Sequence, residues 1–106
     1  MTINVKKFSF DWDQDKALIN RKKHKVSFDE ASTVFDDSLA QTWYDESHSD
    51  TEHRHLMIGH SLRERLLVVS YTVRDHNVIR IINTRLATRK ECVEYEESKD
   101  FGSRNG

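Results

Sequence analysis

The stretch "EHRH", residues 52–55, alternates a glutamate and an arginine with two histidines. Side chains alternate faces along a strand, so His53 and His55 would point one way and Glu52 and Arg54 the other. The two histidines supply only two of the three or four ligands that a transition-metal site usually needs. We therefore interpret the histidines as incidental and expect no metal site and no cofactor.

Glu52 and Arg54 suggest a different chemistry, and two interpretations stay open. In the functional one, Arg54 binds a phosphate and is oriented by Glu52, or Glu52 acts as a general base. In the structural one, the two side chains form an ion pair at the rim of the core, worth under about 1 kcal/mol if exposed.

The segment "VIRIINTR", residues 78–85, places Arg80 in the middle of a predicted strand and Arg85 at its end. A guanidinium between apolar residues is costly unless it is paired, so Arg80 either closes a buried ion pair or lines an anionic site. Fixed guanidinium groups bind phosphoryl oxygens bidentately and stabilise negative charge that develops on them. A structural arginine–glutamate network is the alternative for both. Strict alternation gives one face with Val78, Arg80, Ile82 and Thr84, and another with Ile79, Ile81, Asn83 and Arg85.

Lys16, Asn20, Lys23 and His24 fall on one side of a predicted first helix. They form either a solvated face or a phosphate-binding one. The run 21–25 is the only dense basic cluster in the sequence, which favours it as a landing site for a phosphate backbone. His24 is a candidate proton carrier, since the histidine side chain has a reference pKa near 6.5. It could equally hold the helix end in place.

Tyr95 shares a face of the predicted last helix with Glu91. Tyr95 is a candidate for stacking on a base or contacting a phosphate, and a tyrosine at the edge of the core is the alternative. Trp12 is interpreted as a packing anchor, because aromatic residues dominate small cores.

The chain of 106 residues, 36% apolar and 33% charged, suits one domain at residues 1–98 with a flexible C-terminal tail at 99–106. Its formal net charge of −1 provides no basic excess, which argues against a dedicated DNA- or RNA-binding regulator. One cysteine excludes an internal disulfide. The longest apolar stretch is too short to cross a bilayer, so we expect a soluble cytoplasmic protein without membrane contact.

The pattern of elements predicts an α+β domain. Asp13 is expected to cap the first helix, and Ser27 with Glu30 and Thr88 with Glu91 have capping-box spacing. The predicted architecture is a small antiparallel sheet, a meander, with two N-terminal helices and one C-terminal helix that ends near Ser98. The predicted strands cover residues 8–13, 39–44, 55–60, 66–73 and 78–84, and a polar loop is expected at 45–51.

The ordered set of motifs resembles the BrnT-like toxins of bacterial type II toxin–antitoxin systems. The resemblance rests on "FDWDQDKALINRKKHKVSFDEASTVFDD", "EHRHLMIG" and "RIINTRLATRKECVEYE", which together cover most of residues 8–97. Two departures stand out. Lys25 replaces a frequent glycine after the first helix and would need a different helix ending, and Asn83–Thr84 replaces a frequent Ser-Ala pair.

The resemblance implies a RelE-like fold and a metal-independent endoribonuclease that cleaves cellular RNA and arrests growth. It also implies a cognate antitoxin with a DNA-binding domain, contact with operator DNA only through that antitoxin, and a toxin homodimer within the complex. The candidate catalytic residues are Arg80, Arg85, His24 and Glu52, and the candidate RNA-binding residues are Arg54, Lys23, Lys16 and Tyr95. The alternative is a non-catalytic α+β module that holds a partner protein, for which residues 39–44 could accept a partner strand.

Overall fold

The computed structural model of the chain describes residues 8–45, 53–75 and 77–105. The predicted α+β class is confirmed, since these residues form three helices and one five-stranded sheet. The elements in chain order are β1 Ser9–Asp11, α1 Gln14–His24, α2 Phe28–Thr33 with a 3₁₀ turn at Val34–Asp36, β2 Gln41–Tyr44, β3 His55–His60, β4 Leu66–Arg74, β5 Val78–Leu86 and α3 Arg89–Asn105.

The sheet has the strand order β1-β5-β4-β3-β2. Strands β3 to β5 form the antiparallel meander that their short connections predicted, and β2 extends it by pairing antiparallel to β3. The prediction of a wholly antiparallel sheet is wrong at β1, which pairs parallel to β5 with Asp11 opposite Arg80. A pairing between the first and last strands is non-local, and periodicity within each strand does not indicate its direction.

Each face of the sheet carries part of the core. The larger cluster lies under α1 and α2 and includes Phe28, Val69 and Ile81, with Trp12 and Phe35 packed against it. The smaller cluster lies on the other face under α3 and consists of Ile58, Val68 and Tyr95 with partly buried neighbours. In the described part of the chain, no helix combines the length and the hydropathy that crossing a bilayer requires.

A β-bulge in the β4–β5 pair corrects the predicted faces of β5. Tyr71 lies opposite Ile81, while the preceding residue of β4 lies opposite Asn83, so Ile82 is the extra residue. After this point the alternation is reversed. Thr84 faces the larger core opposite Val69, and not the face of Arg80 as strict alternation predicted. Arg80, Asn83 and Arg85 consequently share one face, opposite Thr72, Ser70 and Val68.

The predicted helix starts are confirmed. The side chains of Asp13 and Ser27 accept hydrogen bonds from backbone N–H groups of α1 and α2, and Thr88 and Glu91 form a reciprocal capping box. The prediction that Lys25 requires a different ending of α1 is wrong. Lys25 itself takes the left-handed conformation that glycine usually adopts there, with φ 61°, and its N–H donates to the Arg21 carbonyl. A lysine adopts this cap at a cost that glycine avoids.

The chain beyond Ser98 is helical in its backbone, because α3 continues to Asn105 rather than ending near Ser98. Gly102 lies inside the helix, where it costs about 1 kcal/mol relative to alanine without forcing an end. The division into a domain at 1–98 and a tail at 99–106 stays a prediction. The predicted loop at 45–51 lies, apart from its first residue, outside the described residues.

Candidate functional site

The position of α1 beside the sheet is set by Asn20, which is 6% exposed. Strand β1 ends opposite Arg80, so from there on none of the described strands pairs with β5 on that edge. The Asn20 side chain takes this place: its Nδ2 donates to the Thr84 carbonyl at 2.9 Å, and its Oδ1 accepts from the Thr84 N–H at 3.2 Å. Nδ2 also donates to the Val26 carbonyl at 3.1 Å. The helix is thereby fixed along the edge of β5.

A pocket of about 350 Å³ opens where α1 meets this edge, and we call it the cationic pocket. It brings together four of the predicted site residues, Lys16, Lys23, His24 and Arg54. The bulge adds Ile82 and Asn83 to its floor, and Ile19 and Asn20 complete the wall on the helix side. None of these described lining residues is acidic, so the pocket attracts anions.

Arg80 lies on the same face of the sheet as Asn83 but does not line the cationic pocket. Its Nη1 is 2.5 Å from Oδ2 of Asp11, the residue opposite it in β1. The arginine also lies near the start of α1. Asp13 has a lowered pKa, chiefly because its carboxylate accepts the Lys16 N–H, and the positive charges of Lys16 and Arg80 add to this effect.

Arg85 lies near the C-terminal end of β5, on the same face of the sheet as Arg80, and is held there by an ion pair. Its guanidinium donates to both carboxylate oxygens of Glu91 in α3, at 2.7 and 3.0 Å. The hydrogen bond from Arg85 lowers the pKa of Glu91 to about 2, although burial opposes the shift. Glu91 also accepts the Thr88 N–H at 2.8 Å, so the pair joins β5 to the first turn of α3. This is the structural arginine–glutamate network that the sequence left open.

Tyr95 is 2% exposed and belongs to the smaller core cluster. Its hydroxyl donates to Oδ2 of Asp37 at 3.3 Å, and its ring packs against His60 at a centroid distance of 5.4 Å. Burial raises the pKa of this phenol to about 12. The structure therefore places Tyr95 in the core and not beside the cationic pocket.

The residues of the "EHRH" stretch separate as alternation predicted, as far as they are described. Arg54 lines the cationic pocket, whereas His53 Nδ1 lies 3.2 Å from the Tyr44 hydroxyl and His55 stacks on Tyr71. Glu52 lies outside the described residues. Within the described ranges, no three His, Cys, Asp or Glu side chains are grouped as metal ligands would be.

Sequence reasoning missed a second basic region on the other side of α1. Arg65 forms an ion pair with Glu30, its Nε lying 2.9 Å from Oε2, and its Nη2 donates to the Lys25 carbonyl at 3.1 Å. The hydrogen bond from Arg65 lowers the pKa of Glu30, which also accepts the Ser61 hydroxyl. The sequence signal was the charged hairpin "SLRER", read only as a connection.

Comparisons with known proteins agree with this architecture. A family model described as "Ribonuclease toxin, BrnT, of type II toxin-antitoxin system" matches residues 12–91. A solved structure, the 1.1 Å crystal structure of the Brucella abortus ribonuclease toxin BrnT, is similar with a TM-score of 0.62 at 19% identity. That similarity covers 77% of this chain and 99% of the other. No curated protein sequence matches the chain.

The fold and the matched residues define a small α+β toxin of the ribonuclease type. The chain belongs to the BrnT family of ribonuclease toxins of type II toxin–antitoxin systems, since the family model covers most of its length. The resemblance predicted from the sequence is thus confirmed.

Proposed function

We propose that the chain is a metal-independent endoribonuclease whose cationic pocket binds the phosphate at which the RNA is cut. The observation that carries this proposal is the gathering of three cations and an imidazole, Lys16, Lys23, Arg54 and His24, in one pocket without an acidic lining among its described residues. Such a lining repels a divalent cation and itself supplies the positive charge that the reaction needs.

The chemistry follows from these groups. The 2′-hydroxyl of the RNA loses its proton and its oxygen attacks the adjacent phosphorus. The bond from phosphorus to the 5′-oxygen then breaks and that oxygen takes up a proton, leaving a 2′,3′-cyclic phosphate and a 5′-hydroxyl. Arg54, Lys23 and Lys16 stabilise the charge on the phosphoryl oxygens, with the guanidinium able to donate twice. His24 carries the proton, and Glu52, two residues before Arg54, is the alternative carrier.

The roles of Arg80 and Arg85 as phosphate ligands remain predictions, and the contacts of the two side chains support Arg80 more than Arg85. Among the described residues, Arg80 has one ion pair, to the exposed Asp11, and it extends the positive face beside the pocket. Arg85 donates both guanidinium arms to Glu91, which leaves it less able to bind a phosphate in the same way. Tyr95 as an RNA contact has the least support, because its hydroxyl and ring are buried.

The biological role proposed from the family is growth arrest by cleavage of cellular RNA, neutralised by a cognate antitoxin with a DNA-binding domain. Operator DNA is contacted only through that antitoxin, and two copies of the toxin form a dimer within the complex. The family also implies that the toxin fold is related to that of RelE. On this chain, β2 is an edge strand of the sheet and exposes Trp43 and Tyr44 at 43% each. This edge supports strand addition by a partner protein.

The proposal is tested with purified protein and RNA in excess EDTA. Wild-type protein should produce fragments ending in a 2′,3′-cyclic phosphate, and His24→Ala should cleave about 100-fold more slowly. Lys90→Ala is the matched control, since Lys90 is exposed in the first turn of α3. Intact RNA with wild-type protein contradicts the proposal and favours the non-catalytic binding module. Cleavage that EDTA abolishes contradicts the metal independence of the proposed reaction.

A further inference from the structure

The larger cavity of the described chain lies on the opposite side of α1 from the cationic pocket. At 100° per residue, Lys16, Asn20 and Lys23 follow one side of the helix, whereas Leu18, Arg21 and Lys25 follow the other. The basic run 21–25 is therefore divided between two cavities. The sequence presented it as one cluster.

This second cavity has a volume of about 590 Å³ and continues into a neighbouring one of about 300 Å³. The two share Leu18, Arg21, Ser27 and Asp29. We call the combined feature the second groove. Its far end is lined by Trp12, which is half-buried and packs edge-on against Phe28 at a centroid distance of 6.0 Å.

The second groove is positively charged. Five cationic side chains line it against two carboxylates, those of Asp29 and Glu30. Glu30 is largely neutralised because Arg65 binds both of its oxygens and Arg63 lies 3.7 Å away. The Arg63 side chain is 72% exposed, so its charge faces solvent. The five cations are Arg21, Lys22, Lys25, Arg63 and Arg65.

We propose that the second groove binds further phosphates of the same single-stranded RNA whose scissile phosphate occupies the cationic pocket. The inference rests on the proposed function. The two sites flank the last turn of α1, about one helix diameter or ~10 Å apart, which an extended strand crosses within a few nucleotides. Cations that follow the backbone and an aromatic ring on which a base stacks are the features of single-strand recognition.

The binding of uncleavable RNA tests this inference. The probes are 2′-O-methyl oligonucleotides of about 12 and about 3 nucleotides, which lack the nucleophile and span different lengths of the surface. Arg21→Gln and Arg63→Gln each remove one charge from an exposed side chain and leave a shorter polar one, and Lys90→Gln is the matched control.

Each groove variant should weaken binding of the long oligonucleotide about 3- to 10-fold and reduce the slope of log Kd against log salt by about 0.7. The effect should be smaller for the short oligonucleotide, and Lys90→Gln should bind as wild type. Wild-type affinity and salt slope in both variants overturn the inference. So does loss of binding to the purified antitoxin with RNA binding unchanged, because the groove is then a protein interface.

Cleavage by the wild-type protein in EDTA is measured in parallel to separate the two proposals. Absence of cleavage overturns the proposed function, whatever the groove binds. Cleavage by the wild type, together with unaltered RNA binding by Arg21→Gln and Arg63→Gln, overturns only the second groove.

Discussion

Two regions that border strand β5 hold basic side chains in different surroundings. At the α3 end, Arg85 donates both arms to Glu91 and fixes the start of the helix. Beside α1, Arg54, Lys23 and Lys16 line a pocket without a carboxylate among its described residues. The surroundings of a basic residue, and not its place near a strand end, therefore distinguish the Arg85–Glu91 pair from the candidate phosphate site.

The largest expected effect lies in the cationic pocket. Lys23→Ala should lower the rate of RNA cleavage by about 10²- to 10³-fold, since one lost donor to a developing oxyanion costs about 2–4 kcal/mol. Lys23 is exposed, so the free energy of unfolding should change by less than about 0.5 kcal/mol. Single-turnover kinetics and urea denaturation measure the two quantities, and a variant that keeps its rate would remove Lys23 from the site.

Substitution of Asn20 should lower both the stability of the fold and the rate of RNA cleavage. Asn20→Ala leaves the Thr84 N–H and two buried carbonyls without their partner, which should destabilise the fold by about 2–3 kcal/mol. Because α1 loses its anchor, cleavage should fall even where the protein is folded. Urea denaturation and cleavage assays below the unfolding transition check this, and stability equal to wild type would show that the amide does not hold the helix.

Glu91→Gln should weaken the contact between β5 and α3. Glutamine can still form the capping box with Thr88, so the variant loses chiefly the charged pair, which should cost about 1 kcal/mol at neutral pH because Arg85 is 37% exposed. Urea denaturation at pH 7 gives the value. The variant leaves Arg85 without its charged partner. A free energy of unfolding equal to that of wild type would show that the Arg85–Glu91 pair does not stabilise the fold.

The same pair predicts how stability depends on pH. The pKa of Glu91 is about 2 in the folded chain against a model value of 4.5, so the folded state favours the charged form. Its contribution is present above about pH 4.5 and is lost as the pH falls toward 2. The decrease in unfolding free energy over this window should be about 1 kcal/mol smaller in Glu91→Gln than in wild type. The same dependence of unfolding free energy on pH in both proteins would contradict the lowered pKa of Glu91.

Lys25→Gly carries the smallest expected effect. Because Lys25 has φ 61°, glycine should raise the free energy of unfolding by about 0.5–1 kcal/mol. Thermal denaturation measures it, with Lys22→Gly inside α1 as a control that should destabilise by a similar amount. Destabilisation by glycine at Lys25 would mean that the lysine side chain contributes more than its backbone costs.

Local rules predicted the parts of the fold that neighbouring residues decide. Asp13 and the Thr88–Glu91 pair start helices as their spacing indicated, and Lys16 and Lys23 lie together as the helical repeat required. The features of the fold that these rules did not predict depend on residues far apart in the chain. The parallel pairing of β1 and the role of Asn20 at the edge of β5 require the assembled sheet.

The bulge at Ile82 illustrates why the candidate site was only partly predictable. One extra residue reverses the alternation of β5, so Arg80 and Arg85 share a face that strict periodicity denied them. Nothing in "VIRIINTR" marks this point, because neither glycine nor proline occurs there. The partners of Arg85 and Tyr95 likewise follow from which helix covers which end of the sheet.

The most direct measurement compares an arginine of the cationic pocket with the arginine paired to α3 in one assay. Single-turnover cleavage of RNA in EDTA is followed for Arg54→Ala and Arg85→Ala under conditions where both variants are folded. We expect Arg54→Ala to lose about 100-fold or more, and Arg85→Ala to stay within about threefold of wild type while losing stability. A larger loss in Arg85→Ala than in Arg54→Ala would contradict the assignment of the cationic pocket as the site of cleavage.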